Sequence, residues 1–286
     1  MRLRRSMSLL DQSGIVLRSL LVAGFALALA GSGCSYFKEK PELSAEDNYR
    51  KGMEEFEAED YQDAIPYFQK ILENYPFSIH AVPAELKIAE SYYLDEKYIE
   101  ALVHLQGFKE LHPTNEQIPY VLWMKAVASY EQFSSIDRDL STLENSKAEL
   151  DELLTRFPTS PYTDQAKDLR EKVLEKLAER DFYVARFYYR EAQYAAALPR
   201  FQQILDEYSG SNVKDRALYY IGKCYYFMQD EKKSREAFQT LVERYPESPY
   251  TSHAKTFLSD LDRGRFTLIS KYFRLKERLF WYFGYE

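Results

Sequence analysis

"RFPTSPYTDQA" occupies Arg156 to Ala166, and "RYPESPYTSHA" occupies Arg244 to Ala254. An irregular phrase spelled twice at a long separation is the mark of a structural repeat. Extending backwards, five segments run in register without gaps, starting at Tyr61, Tyr98, Leu143, Tyr194 and Glu231. Three residues after each start stands a small residue: Ala64, Ala101, Ser146, Ala197 and Ser234. Seven after is large and apolar: Phe68, Leu105, Leu150, Phe201 and Phe238. Ten after come Ile71, Phe108, Leu153, Ile204 and Leu241, and fourteen after a ring: Tyr75, His112, Phe157, Tyr208 and Tyr245. Offsets of 3, 7, 10 and 14 lie on one face of an α-helix.

The quoted phrase is therefore a joint between helices. Pro76, Pro113, Pro158 and Pro246 follow the ring and disfavour helix in the residue before them; the fourth copy has Ser209 instead. Ser78, Asn115, Ser160, Ser211 and Ser248 come two residues later, and these are residue types that accept the free N–H groups of a new helix. Pro161 and Pro249 are then expected at the first helical position. Small residues sit nine before each start, at Gly52, Ala89, Ala185 and Gly222, with Ala126 in that role in the third copy. They allow two helices to approach closely. The pattern, at a period near 37, resembles the tetratricopeptide repeat. The expectation is an all-α, right-handed tetratricopeptide solenoid of five helix pairs over residues 44–262.

Two copies carry insertions. Eight extra residues centred on "SSIDRDLST" predict a loop before Leu143. Fourteen extra residues follow Ser160, about 3.9 helical turns, which nearly preserves the packing phase. Pro161 to Gln193 is expected to be one long helix joining front repeats 1–3 (44–160) to back repeats 4–5 (194–262). Pro66 and Pro199 fall inside their helices at one register and predict kinks.

Composition narrows the rest. Twenty-five Tyr and 18 Phe against 10 Gly suit a helical chain, and a net charge of −7 disfavours general nucleic-acid binding. Arg2, Arg4, Arg5 and Arg18 with the apolar run Ser19–Gly33 form a secretory signal pattern, residues 1–33. It ends in "AGSGC", similar to a bacterial lipobox; Gly31 stands where leucine is usual and Leu29 lies two residues back. Cys34 is then the expected lipidated residue, carrying diacylglycerol and an N-acyl chain as a covalent anchor with no other cofactor, and 34–43 the tether to a Ser44 cap. The alternative is an ordinary signal peptide with a chance cysteine. The mature chain would hold 34 basic and 44 acidic residues, net −10. Cys224, between aromatic residues, reads as a buried thiol.

Catalytic chemistry has no carrier. The four His are scattered along the chain, and neither a phosphate loop nor a metal-ligand spacing occurs. A repeat scaffold without such a constellation is expected to bind partners, not to act as an enzyme.

A lipobox followed by these repeats resembles the BamD family of outer-membrane assembly lipoproteins. The landmarks are "NYPFSIH" (Asn74–His80), "HPTNEQIPYVLWMKA" (His112–Ala126), "DRD" (Asp137–Asp139), the Arg156–Ala166 joint and the stretch Asp181–Tyr208. The resemblance implies a periplasm-facing, lipid-anchored outer-membrane subunit of the β-barrel assembly machine. It implies back repeats that dock on the last POTRA domain of a BamA-type barrel subunit. It also implies front repeats that receive the C-terminal signals of unfolded outer-membrane proteins. Arg200 aligns with an arginine through which family members reach BamA. An extended peptide ending in a ring suits an apolar groove with polar rims, and Tyr92, Tyr93, Tyr120 and Trp123 are the candidates; ordinary inter-helix core is the alternative. A pilotin-type lipoprotein for a secretin, or a periplasmic cell-division adaptor, would share the repeats but not the landmarks at 112–126 and 137–139.

The segment 263–286, "RGRFTLISKYFRLKERLFWYFGYE", lies beyond the resemblance. Lys271, Arg274 and Arg278 share one helical stripe, with Phe266, Ile269, Phe273, Phe280 and Phe283 broadly opposite. Such a basic, aromatic tail, Trp281 included, suits docking on a membrane surface or a partner groove; capping the last repeat is the alternative.

Overall fold

The computed structural model describes residues 42–135, 139–208 and 212–263. Among these residues are eleven α-helices and no strand. They are α1 (Ala45–Glu57), α2 (Tyr61–Asn74), α3 (Ala81–Leu94), α4 (Tyr98–Leu111), α5 (Ile118–Glu131) and α6 (Ser141–Arg156). Then follow α7 (Thr163–Arg190), α8 (Tyr194–Glu207), α9 (Lys214–Phe227), α10 (Glu231–Arg244) and α11 (Thr251–Asp262). Each helix packs on the next in the chain, giving five consecutive pairs and a closing helix. This is the tetratricopeptide solenoid that the repeat predicts.

The register explains the packing. All residues at offsets 3, 7 and 10 in the five copies are fully buried. Their partners are the small residues of the preceding helix. A Cβ built on Gly52 would lie 2.7 Å from Phe68 Cε1, and one on Gly222 would lie 2.5 Å from Phe238 Cε1. Ala89, Ala126 and Ala185 fill the same place and are fully buried. Ser146 and Ser234 use their hydroxyls as well, donating to the carbonyls of Ala126 (2.8 Å) and Gly222 (3.0 Å).

The joints differ from expectation in one respect. Pro161 and Pro249 stand in a turn, and the α-helices begin at Thr163 and Thr251. Ser160 and Ser248 accept from the N–H of Tyr162 and Tyr250 at 3.2 Å, and their carbonyls accept from Thr163 and Thr251 N–H. They cap one tight turn that leads into the helix, because the i+3 backbone bond forms before the i+4 ladder does. Ser78 and Asn115 do the same; Ser211 lies outside the described residues. The repeated threonine closes the phrase: Thr163 and Thr251 donate to the carbonyls of Phe157 (3.3 Å) and Tyr245 (2.7 Å). Ser44 caps α1 as expected, accepting from Asp47 N–H.

A second device recurs between the helices of a pair. Glu59, Glu96, Ala192 and Gln229 have φ between 56° and 65°. In each copy two crossed backbone bonds close the turn, as from Asp60 N–H to Glu55 and Glu59 N–H to Phe56. This turn shortens the long helix. α7 ends at Arg190, and Glu191 to Gln193 form the turn, so α7 spans 28 residues in place of Pro161 to Gln193. Helices α2 and α8 run through Pro66 and Pro199.

One hydrophobic core extends from Leu86 to Leu261 and passes through α7 by way of Leu169, Val173, Leu177 and Phe182. A smaller one joins the first pair to Ala81, Ala84 and Ile88 of α3. Phe257 of α11 stacks on Phe238 at 5.0 Å and closes the far end. Cys224 is buried in the large core. The signal segment, Cys34, most of the tether, Asp137, Arg138 and the tail residues Lys271, Arg274, Arg278 and Trp281 lie outside the described residues.

Candidate functional site

The first helices of pairs two and three form a hollow. Glu90, Tyr93 and Leu94 come from α3, and Tyr120, Trp123, Met124 and Val127 from α5; they enclose about 220 Å³. Three of the four predicted rings thus meet. Tyr92 turns away, stacks on His104 at 5.2 Å and packs on the first core. Its neighbour in sequence faces the hollow because successive helical positions are 100° apart.

Tyr162 packs against two of these rings. Its ring lies 5.5 Å from Tyr120 and 6.5 Å from Trp123, nearly parallel to the latter. The repeated phrase carried the signal for it. Tyr250, its counterpart, packs on Tyr219 at 5.2 Å in the same way.

Polar groups rim the hollow. Burial and then the Glu90 carboxylate push the Tyr120 hydroxyl well above the usual tyrosine range, so it stays a neutral donor. Glu90 also pairs with Lys87 at 2.5 Å. A neighbouring cavity of about 270 Å³ shares Glu90 and Tyr120 and adds Tyr49, Leu86, Lys87, Asn115 and Gln117. The two adjoin at Glu90 and Tyr120 as one trough lined by apolar side chains, the amides of Asn115 and Gln117, Lys87 and the carboxylates of Glu90 and Glu116.

Arg200 lies on the opposite half of the chain, in α8. Its guanidinium donates to the Ala196 carbonyl at 2.7 Å and lies 4.2 Å from the Tyr188 ring centre. It is half-buried and held in place, pointing away from the core residue Phe201. Tyr183 and Phe187, one turn apart on α7, are 50% and 55% exposed. Phe187 meets Tyr188 edge-on at 5.7 Å. The sequence reading missed this exposed aromatic row, because in a chain rich in rings two more carry no signal without register to a surface.

Other polar side chains inside the packing are structural. Lys223 is surrounded by the rings of Tyr189, Tyr219 and Tyr220 at 5.0–5.5 Å. Lys125 bonds Gln106 and Glu149, tying α5 to α4 and α6. His112 packs on Phe108 and bonds Glu85 at 3.0 Å. No group of residues suited to a metal ion occurs among the described residues.

A family model described as YfiO, outer membrane lipoprotein, matches residues 41–237. The chain belongs to that family. The YfiO match covers the trough, the Arg200 region and most of the solenoid. Curated relatives bear the name "Outer membrane protein assembly factor BamD". The one from Rickettsia prowazekii (strain Madrid E) is 29% identical over 241 residues, covering 84% of this chain and 94% of the relative. That from Caulobacter vibrioides is 23% identical, covering 85% and 81%. That from Neisseria meningitidis serogroup A is 25% identical, covering 82% and 94%. Among solved structures, the TPR2AB domain of yeast Sti1 aligns over 76% of this chain and 84% of that chain, with TM-score 0.42 and 12% identity. No helix among the described residues is long and apolar enough to cross a membrane.

Proposed function

We propose that this chain is a lipid-anchored scaffold of the β-barrel assembly machine, working on the periplasmic side of the outer membrane. It is not an enzyme in this reading. Its trough takes up the aromatic-ended C-terminal segments of unfolded outer-membrane proteins, and its back repeats hold a BamA-type subunit. Family membership supports the setting. The observation that carries the client site is the meeting of Tyr93, Tyr120 and Trp123 around one hollow, with Tyr162 packed on the latter two. A terminal ring can enter between these rings at little cost in polar desolvation. Lys87 and the amides of Asn115 and Gln117 offer donors along the adjoining cavity to an extended backbone and its carboxylate.

The test is fluorescence anisotropy with a labelled peptide ending in phenylalanine. Trp123→Ala should weaken binding about tenfold, since a buried ring at a hot spot is worth upwards of about 1 kcal/mol. Unchanged affinity in both Trp123→Ala and Tyr120→Ala would remove the client site from the trough.

Arg200, with the Tyr183 and Phe187 row, is the proposed contact with the barrel subunit. A desolvated guanidinium paired across an interface carries about 2–5 kcal/mol when truncated. Arg200→Ala should weaken capture of the barrel subunit with helical circular dichroism unchanged. The anchor is assigned to Cys34: acyl chains contribute about 0.8 kcal/mol per buried CH₂. Cys34→Ala should move the chain out of the outer-membrane fraction or leave it unprocessed.

A further inference from the structure

The joint between α2 and α3 carries an apolar tip. Phe77 is 101% exposed and Ile79 86%, the two most exposed large hydrophobic side chains among the described residues. The turn beneath them is fixed. Ser78 N–H donates to the Tyr75 carbonyl at 2.9 Å, and the Ser78 carbonyl accepts from Ala81 N–H at 3.0 Å. Phe77 and Ile79 flank Ser78, so both stand outward while Ser78 makes the bonds of the turn.

The repeats provide an internal comparison. In the places of Phe77 and Ile79, the second joint has Thr114 and Glu116, and the third Thr159 and Pro161. The fourth has Gly210 and Asn212, and the fifth Glu247 and Pro249. No other joint puts a ring or a large aliphatic side chain at either place. The solenoid does not require them in the first.

The first joint is also where the chain enters the fold. The Tyr75 hydroxyl, two residues before Phe77, donates to the Leu43 carbonyl at 3.0 Å. Asn74 donates to the Glu42 carboxylate at 2.5 Å. Residues 42 and 43 are thus pinned beside the tip. Cys34 precedes Glu42 by eight residues, which reach about 28 Å at most when extended. An anchor at Cys34 therefore brings the first joint to the membrane before any other.

Charge at this end suits the same surface. Tyr67, Lys70 and Asn74 follow one stripe of α2 that leads to the tip. With Lys51, Glu42 and Leu43 they line a cavity of about 560 Å³. The Lys51 and Lys70 ammonium groups lie 6.0 and 5.8 Å from the Tyr67 ring centre. Neither forms an ion pair among the described residues, and the Glu42 carboxylate is bonded by Asn74.

We propose that Phe77 and Ile79 enter the phospholipid surface on which the chain is anchored, with Lys51 and Lys70 meeting lipid phosphates beside them. A ring and an aliphatic side chain on a rigid turn suit the boundary between headgroups and acyl chains, and nearby lysines are drawn to anionic lipid. The proposal rests on the anchor at Cys34 and adds a second contact. A flexible tether alone leaves the solenoid free to swing, and two contacts fix how it faces the membrane.

The test uses the chain from residue 34 with Cys34→Ser. A histidine tag at its N-terminus holds it on vesicles of phosphatidylethanolamine and phosphatidylglycerol that contain a nickel-chelating lipid. The tag replaces acyl chains, so the outcome does not depend on acylation at Cys34. An environment-sensitive dye is attached at Phe77→Cys; Cys224 is fully buried and stays unlabelled. The dye should shift to the blue and be quenched by brominated acyl chains. The same dye at Thr159→Cys, the matching place in the third joint, should do neither. Phe77→Asp should abolish the response of a dye at Ile79→Cys. Lys51→Glu with Lys70→Glu should reduce the response at position 77 at least about twofold, with circular dichroism unchanged. Three results would overturn the proposal: no response at position 77, as when residues 263–286 alone touch the lipid; an equal response at position 159; or a response indifferent to these substitutions.

Discussion

A methyl group at Gly222 would sit 2.5 Å from Phe238 Cε1, closer than any real Cβ contact. Gly222→Ala should therefore destabilise the protein by about 1–3 kcal/mol as the ring and two helices shift; urea unfolding measures it. Equal stability of the variant would show that the ring moves aside freely. The left-handed turn residues give the opposite sign. Ala192 has φ 56°, a region that disfavours side chains with a Cβ. Ala192→Gly should raise stability by about 0.5–1 kcal/mol, strain relief being partly offset by glycine's freedom in the unfolded chain. A lowered melting temperature would refute this. The two features differ in legibility. Gly52 and Gly222 stand nine residues before a repeat start, where the other copies have alanine, so their partners could be read from the sequence. Glu59, Glu96, Ala192 and Gln229 include no glycine or asparagine, the types that would mark a left-handed turn. Backbone bonds across the turn, not the residues themselves, place them there.

Helices α4, α5 and α6 are joined by charge as well as by core. Lys109 reaches Glu149 at 3.2 Å and Glu152 at 2.6 Å, Lys125 bonds Glu149, and Arg156 bonds Glu152. Burial alone would raise the Glu152 carboxyl, but Lys109 and Arg156 outweigh it and hold it below the ordinary 4.5. Asp151 is held down in the same way, burial being outweighed by Lys147 and Arg170. A carboxyl lowered in the folded state stabilises the fold above its unfolded value and loses that contribution as pH falls through the folded one. The melting temperature should hold down to about pH 5 and decline below about pH 4. Glu152→Gln should make that decline shallower; an unaltered acid slope would assign it to other groups. At this scale the sequence read well. The five expected pairs are all present, because one register repeated five times outweighs local propensity; α11 is an eleventh helix beyond them. The ends read less well. Proline after a cap-type residue suggested a helix start at Pro161, yet Ser160 closes a tighter turn first and α7 begins two residues later. Of the trough, Tyr93, Tyr120 and Trp123 were legible as apolar rows. Tyr162 needed the knowledge that its joint folds back on α5.

A solenoid's stability is a sum over neighbours, and its two ends are not alike here. The far end is closed by α11, whose Phe257 and Leu261 belong to the large core. Among the described residues the first pair has a neighbour on one side only, and its Ala64, Ile65, Phe68 and Ile71 form a separate cluster with three residues of α3. That cluster meets the rest of the molecule through α3, which sends Leu86 and Ala89 to the large core and Ile88 to the small one. Leu43, the last residue of the proposed tether, is held at the same end. Asn48 donates to the carbonyls of Leu43 (2.9 Å) and Ser44 (3.0 Å), and the Tyr75 hydroxyl to that of Leu43 (3.0 Å). Whatever pulls on residues 34–43 is thus transmitted to the least supported pair. Native-state hydrogen exchange should show α1 and α2 opening at a lower free energy than α5 to α9, as a sub-global unit. Ile88→Ala removes a fully buried side chain at the junction, a loss of about 2–5 kcal/mol. It should accelerate exchange in α1 and α2 while leaving α9 and α10 at their original rates, because coupling in a solenoid passes only from neighbour to neighbour. Equal protection from α1 to α11, or acceleration that reaches α9, would mean that the chain unfolds as one cooperative block and that the first pair is no weaker than the rest.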